Sequence, residues 1–209
     1  MSCPLCESSE TFLFYKAAEP QEFWRCQECE FIFVPLKFHL SSEQEKSRYQ
    51  THQNNIDDPG YQNFLMPAAE AVEKFCPAPA RGLDFGCGPG PALVAMLERR
   101  GYEMKGYDPF FFPDTKLLER RYDFVTATEV LEHLREPRKV LEKLSKLADT
   151  FVIMTALLSD PDDFANWYYK NDPTHISFFS KASLRWVSNF LHAKIISVTS
   201  RLVVLERRS

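Results

Sequence analysis

The chain has 209 residues, 44% of them apolar and 14% aromatic, enough to bury a core, so wholesale disorder is excluded. Its apolar stretches, such as Phe151 to Leu158, fall far short of the roughly 20 residues a spanning helix needs. The net charge of −4 is unevenly placed: residues 1 to 36 hold six carboxylates (Glu7, Glu10, Glu19, Glu22, Glu28, Glu30) against Lys16 and Arg25, and the rest is balanced. The start, Met-Ser-Cys-Pro-Leu-Cys, has neither a basic patch nor a hydrophobic run, so a soluble, cytoplasmic chain without a signal peptide is expected. In that setting six Cys point to metal or packing roles rather than disulfides.

Cys3 and Cys6 form one Cys-x-x-Cys pair, Cys26 and Cys29 a second, with nineteen residues between the pairs. Two tight turns of this kind aim four sulfurs at one ion, the pattern of a structural zinc site with no open coordination position. Thr11 to Tyr15, Glu22 to Arg25 and Phe31 to Val34 read as short strands around it. A unit this small cannot bury enough surface alone, so the ion would supply much of its folding energy. Residues 1 to 36 are therefore expected to be a small zinc ribbon. Cys76 is expected to be a packing residue.

Residues 37 to 60 change character, with the polar run Ser41 to Lys46 and an Asp58-Pro59-Gly60 turn signal. They read as a linker, and Tyr49, His52, Asn54 and Asn55 within it could fold over a ligand. Residues 61 to 209 are expected to form the main domain. It opens with an amphipathic helix from Tyr61 to Phe75, with Phe64, Leu65, Ala68, Ala71, Val72 and Phe75 at helical spacing.

Arg81 to Gly90 carries the most chemistry. A short apolar strand ends at Asp84-Phe85, glycines at 86, 88 and 90 make a tight turn, and a helix runs on to about Arg100. The free N–H groups where such a helix starts receive anions. A second strand, Glu103 to Tyr107, delivers Asp108 at its end, 22 residues beyond Gly86, where a carboxylate accepts the hydroxyls of a ribose. The ligand should thus contain a nucleoside. A dinucleotide turn wants Gly or Ala where Pro91 stands, and Asp84 would oppose a pyrophosphate. A ligand with an ammonium and a carboxylate suits Asp84 and the helix start better, and S-adenosylmethionine joins such an amino acid to adenosine.

Here the chain resembles the class I S-adenosylmethionine-dependent methyltransferases. Leu83-Asp84-Phe85-Gly86-Cys87-Gly88-Pro89-Gly90 is similar to their first motif, Gly106-Tyr107-Asp108 to their second, and Tyr122 to Leu134 to their fourth strand with the turn after it. The resemblance implies an α/β fold, a Rossmann-like, mostly parallel sheet, with S-adenosylmethionine held by Asp84, Gly86, Cys87, Gly88, Gly90 and Asp108. Only 13 residues separate Asp108 from Tyr122, too few for the usual helix and third strand, so that strand is expected to be reduced or missing. Pro109 and Phe110, with Phe111 and Phe112, then stand to wall the adenine. The remaining elements expected are a helical face from Val140 to Leu147, a buried strand from Thr150 to Leu157, a helix from Lys181 to Leu191, and a closing antiparallel pair at 194–200 and 202–206.

Thr128 and Glu129 should border the cofactor, with Glu129 and His133 four apart at a helix start and His133 shaping the substrate side. No His-Glu-x-x-His pattern accompanies them, so a catalytic zinc of that kind is not expected. Residues 160 to 179 should cross the top of the sheet, where Trp167, Tyr168, Tyr169, Asp172 and His175 could enclose a planar or sugar-like acceptor. His175 suits a general base, because imidazole titrates near neutrality; it could equally tie down a nearby backbone carbonyl. The function expected is methyl transfer to a small-molecule or carbohydrate-like acceptor. Methylation of ribosomal or transfer RNA is the alternative enzyme, disfavoured because the first segment is acidic and a four-thiolate zinc adds about −2. A non-catalytic cofactor-binding module is the remaining alternative.

Overall fold

The computed structural model describes residues 1–17, 21–51 and 55–207. His52 and Asn54 lie outside them. In chain order the elements are β1 (Thr11–Lys16), β2 (Glu22–Cys26), β3 (Ile32–Phe33), α1 (Ser42–Gln50), α2 (Pro59–Phe75), β4 (Arg81–Phe85), α3 (Ala92–Glu98), β5 (Glu103–Tyr107), β6 (Phe124–Thr128), α4 (Pro137–Ser145), β7 (Thr150–Met154), β8 (Leu157–Leu158), β9 (Ser177–Ser180), α5 (Lys181–Phe190), β10 (Ala193–Val198) and β11 (Leu202–Arg207).

Six strands form the main sheet in the order β10-β11-β7-β6-β4-β5, parallel from β7 to β5 and antiparallel through β11 and β10. Alternation assigns its two faces. Phe124, Val152, Met154 and Val204 meet α2 and α3, whereas Val125, Phe151, Ile153 and Leu205 meet the buried faces of α4 and α5. Cys76 is buried in the first of these cores, the packing role expected of it. β5 is the edge strand. After it the chain makes a single Asp108–Phe112 bridge and a 3₁₀ turn at Thr115–Glu119 where a third strand would otherwise lie. The main sheet with its flanking helices is the expected α/β, Rossmann-like fold.

A second sheet, β1-β2-β3-β9-β8, starts in the N-terminal unit and ends in the long connection after β7. β3 pairs antiparallel with β9, Ile32 opposite Phe178 and Phe33 opposite Ser177. Cys3, Leu5, Phe31 and Phe33 also share one buried cluster with Leu141, Leu184 and Val187 of α4 and α5.

Two expectations need correction. Thr150 to Leu157 is two strands in two sheets, because the amides of Thr155 and Leu157 turn to the carbonyls of Arg201 and Ser200 and draw the chain out of the main sheet. The polar run 41–50 is a helix. Ser41 and Gln44 form a capping box at its start, and ion pairs Arg48–Asp172 (2.9 Å) and Glu45–Arg135 (2.9 Å) hold it to the body. No helix among the described residues is long and apolar enough to cross a membrane.

Candidate functional site

The four N-terminal cysteines converge, with sulfurs 3.7 Å apart for Cys3–Cys29 and 3.4 Å for Cys6–Cys26. A tetrahedral ion with Zn–S bonds of about 2.3 Å would hold its sulfurs roughly 3.8 Å apart, so the four fit such an ion with little movement. Without one the sulfurs conflict. The hydrogen bond from Cys29 draws the Cys3 thiol down to about 6, the same contact pushes Cys29 up, and burial pushes Cys6 up to about 12. A dication would let all four ionise.

A cavity of about 570 Å³ opens at the C-terminal ends of β4, β5 and β6. Its floor is the Gly86-Cys87-Gly88 turn. Gly86 (φ +76°) and Gly88 (φ +66°) occupy the left-handed region, and a Cβ at Gly86 would stand 2.4 Å from Val130. The turn is tied to β5 by the amides of Gly86 and Cys87, which donate to the Tyr107 carbonyl. Asp108 is held from both sides: Gly88 N donates to Oδ2 at 3.1 Å, and Phe110 N (2.8 Å) and Phe111 N (3.1 Å) donate to Oδ1. The carboxylate is thus fixed at the pocket wall, with Oδ1 fully occupied and Oδ2 still able to accept from one ligand hydroxyl.

Of the residues singled out from sequence, Gly86, Cys87, Gly88, Asp108, Pro109, Phe110, Thr128, Glu129, His133 and His175 all line this cavity. Asp84 and Gly90 stand back from it. Asp84 lies beneath the turn, 2% exposed, its Oδ1 accepting from Thr126 Oγ1 at 2.7 Å, and burial raises its carboxyl to about 7 against that bond. Phe111 joins Phe110 in the wall, whereas Phe112 is 40% exposed. Trp167 and Tyr168 do not enclose the cavity: Trp167 packs on Phe164 and Phe178 beside the second sheet, and Tyr168 faces outward. Asp172 is taken by Arg48 and by Thr174; these bonds outweigh burial and keep its carboxyl well below the usual range.

The segment after β6 is a 3₁₀ turn at Leu131–His133 rather than a helix start. Glu129 enters it with φ +51°, a strained conformation for a non-glycine residue at a pocket rim. Its Oε2 accepts from Tyr169 Oη (3.2 Å) and Arg201 (3.4 Å). Glu132, fully buried, accepts a short hydrogen bond from the same Tyr169 hydroxyl. Burial pushes both carboxyls up, and the charge of Glu132 raises Glu129 further. The His133 and His175 rings meet edge to face at 4.8 Å, and each is anchored through Nδ1, His133 on the Thr174 carbonyl (3.0 Å) and His175 on that of Tyr169 (2.6 Å).

Sequence reasoning missed several contributors. Glu45 of α1 lines the cavity, beside Tyr49, which was expected to fold over a ligand and packs against His133 (5.3 Å) and Phe110 (5.9 Å). Tyr61 and Phe64 add a stacked pair from the first turns of α2. Their spacing signals a helix face but not that the face ends at a pocket. Glu132 carries the one readable signal, a second carboxylate three residues after Glu129 in an otherwise apolar run.

No curated protein matches the chain in sequence. Among solved structures, magnesium protoporphyrin IX methyltransferase from Synechocystis PCC 6803, with S-adenosylhomocysteine bound, is similar at TM-score 0.56 and 17% identity, covering 80% of this chain and 95% of that one. The 1,6-didemethyltoxoflavin-N1-methyltransferase of Burkholderia thailandensis, with its substrate and S-adenosylhomocysteine bound, is similar at TM-score 0.57 and 13% identity, covering 96% and 100%. At these identities the likeness is one of fold. Residues 60 to 189, from the start of α2 to the end of α5, match the family model described as a methyltransferase domain, and by that match the chain belongs to this methyltransferase family.

Proposed function

We propose that the chain transfers a methyl group from S-adenosylmethionine to a small-molecule or carbohydrate-like acceptor, with a structural zinc in its four-cysteine unit. The observation that carries the reading is one continuous cavity. A nucleoside site, the glycine turn with a doubly anchored Asp108, lies at one end, and a polar chamber walled by His133, His175 and Glu129 lies at the other. Its volume of about 570 Å³ sits within the range of roughly 300–1,000 Å³ that small ligands occupy. The Synechocystis and Burkholderia structures both hold S-adenosylhomocysteine, and the name of each enzyme gives a small-molecule substrate.

S-adenosylmethionine, when bound, supplies a methyl group already activated by the sulfonium charge. The residues of this chain bind, orient and exclude water. Asp108 receives a ribose hydroxyl through Oδ2, and Phe110 and Phe111 face the adenine. The carboxylate of Asp84, buried one layer below the glycine turn, attracts the ammonium of the methionine moiety. Tyr49 and Glu45 of α1 close the cavity from above, so that an acceptor entering beside His133 meets a chamber shielded from solvent.

Equilibrium binding tests this. S-adenosylmethionine should bind at micromolar strength and NAD should not. Asp108→Ala removes a charge-assisted hydrogen bond worth about 1.5–3 kcal/mol and also frees the three amides that the carboxylate anchors, which predicts at least ~10-fold weaker binding. Tight NAD binding, or an unchanged affinity in the variant, refutes the reading. Radiolabelled methyl transfer onto a cell extract fractionated into RNA, protein and metabolites identifies the acceptor class, and label in RNA alone would favour the nucleic-acid alternative.

A further inference from the structure

We propose that Glu132, His133 and His175 form a binding site for a divalent transition-metal ion at the acceptor end of the cavity, with open positions for an acceptor's hydroxyl oxygens. One ligand-capable atom from each of the three residues lies within 4.8 Å of the others. An ion with bonds of about 2.1 Å separates its ligands by roughly 3–4.2 Å, so side-chain rotations of about 1 Å complete the set.

Three further observations point to an ion. First, each imidazole gives Nδ1 to a backbone carbonyl, which can only accept. Nδ1 therefore carries a proton on both rings, and Nε2 is the ligand-capable nitrogen of each ring in its neutral form. This is the arrangement by which backbone carbonyls fix the tautomer and aim of metal-binding histidines. Second, Glu132 is fully buried, its Oε1 is occupied by the Tyr169 hydroxyl, and its Oε2 has no hydrogen-bond partner among the described residues. A buried carboxylate oxygen left in this state costs free energy unless a cation meets it. Third, Oε1 of Glu129 is likewise buried without a partner at the same rim, and Arg201 is the only cation paired with either carboxylate among the described residues. The pocket thus brings one carboxylate and two imidazoles together, with the Glu129 carboxyl at the same rim.

Two imidazoles with one or two carboxylates are a mixed nitrogen and oxygen set, suited to Mn²⁺, Fe²⁺ or Zn²⁺, unlike the all-thiolate N-terminal cluster. Three or four protein ligands leave positions open in a six-coordinate shell, and those positions face the cavity that His133 and His175 line. A nitrogen bound to an ion cannot also take up the acceptor's proton, so His175 is assigned here as a ligand in place of a general base. That assignment is also why the absence of a His-Glu-x-x-His helix does not bear on the site. The ligands come instead from a 3₁₀ turn after β6 and from the segment just before β9.

The choice of oxygen as the acceptor atom rests on the methyltransferase reading; the ion site itself does not. Mn²⁺ is the probe, because the thiolates of the N-terminal unit select Zn²⁺ and leave the harder ion to this site. Titration of zinc-loaded full-length protein, followed by electron paramagnetic resonance without cofactor or acceptor, should show one bound Mn²⁺ per chain at micromolar strength. Pulsed spectra should carry nitrogen couplings from two imidazoles. Asn can keep the hydrogen bond to the carbonyl while removing Nε2, so His133→Asn and His175→Asn should each weaken binding at least ~10-fold. Glu132→Gln should do the same, and exposed His192→Asn should not. The wild-type nitrogen couplings need no variant, so misfolding of a variant leaves the test readable. No binding below ~1 mM, or binding without nitrogen coupling, overturns the site and returns His175 to the role of base. Failure to bind S-adenosylmethionine would sink the methyltransferase reading alone.

Discussion

Asp84 offers the most quantitative check on the cofactor end. The residue is 2% exposed with a single hydroxyl donor, Thr126, and burial raises its carboxyl to about 7, with the charge of Asp108 adding to the effect. Its unfolded value is about 3.9. Between these limits the folded state binds more protons than the unfolded, so the stability this group contributes is fully present below pH ~4 and is lost as pH rises through ~7. At about 1.36 kcal/mol per unit, the ligand-free protein should lose roughly 2–3 kcal/mol between pH 5 and pH 8 through this residue alone. Asp84→Asn cannot ionise. Urea unfolding of wild type and variant at both pH values should therefore show the variant gaining about that much relative to wild type at pH 8. An ammonium-bearing ligand reverses the effect by stabilising the carboxylate. At pH 6.5 roughly three-quarters of the ligand-free protein is protonated here, so binding S-adenosylmethionine should release about 0.8 proton, absent in Asp84→Asn. Calorimetry in two buffers of different ionisation enthalpy counts that proton. A binding enthalpy independent of buffer, together with parallel stability profiles, would refute the placing of an ammonium above Asp84.

Two other outcomes follow from local geometry. Gly86→Ala forces a Cβ into the left-handed region and 2.4 Å from Val130, which should cost about 2–4 kcal/mol and lower the melting temperature by roughly 5–15 °C; an unchanged melting curve would mean the turn has a different shape. Elemental analysis should find one zinc held by the N-terminal cysteines, and Cys29→Ser should lose it and unravel the second sheet, read as hydrogen exchange across β1 to β3 and into β9; full zinc retention would remove the tetrathiolate assignment.

The glycine turn and the strands beside it were legible in the sequence because both steps are local. β4 and β5 end where their apolar runs end, and Asp108 follows at a fixed distance. The missing third strand was legible too, as a chain too short to make it. What failed to show was long-range. α1 has no buried residue and no apolar stripe, so its helix depends on a capping box and on Arg48 and Glu45 finding partners 124 and 90 residues away. The exit of the chain at Thr155 was hidden because the apolar run continues unbroken while its hydrogen bonds change partners. Trp167 and Tyr168 looked like pocket residues by composition, yet Trp167 is drawn to the Phe164–Phe178 cluster that the N-terminal unit completes with Phe23.

That last point bears on why a zinc ribbon precedes this domain. The acceptor end of the cavity is built from the turn after β6 and the segment that leads into β9. The first is tied to the main sheet by the Glu129 amide on the Met154 carbonyl, and the second pairs in the other sheet. Ile176 is held by its amide to the Glu132 carbonyl, and Val34 N donates back to the Ile176 carbonyl, so the ribbon's third strand and the His175 segment are stitched together directly. Ser177 then fastens the same segment to Leu134 through its hydroxyl. An ion held by the four cysteines would, in folding the first thirty residues, also fix the strand that follows His175, and the aromatic cluster of Phe23, Phe164 and Phe178 supplies the rigid backing. On this argument the N-terminal unit braces the His175 segment from behind, without lining the cavity itself. A domain whose cofactor half is set by local sequence would then have its acceptor half braced by the module attached in front of it.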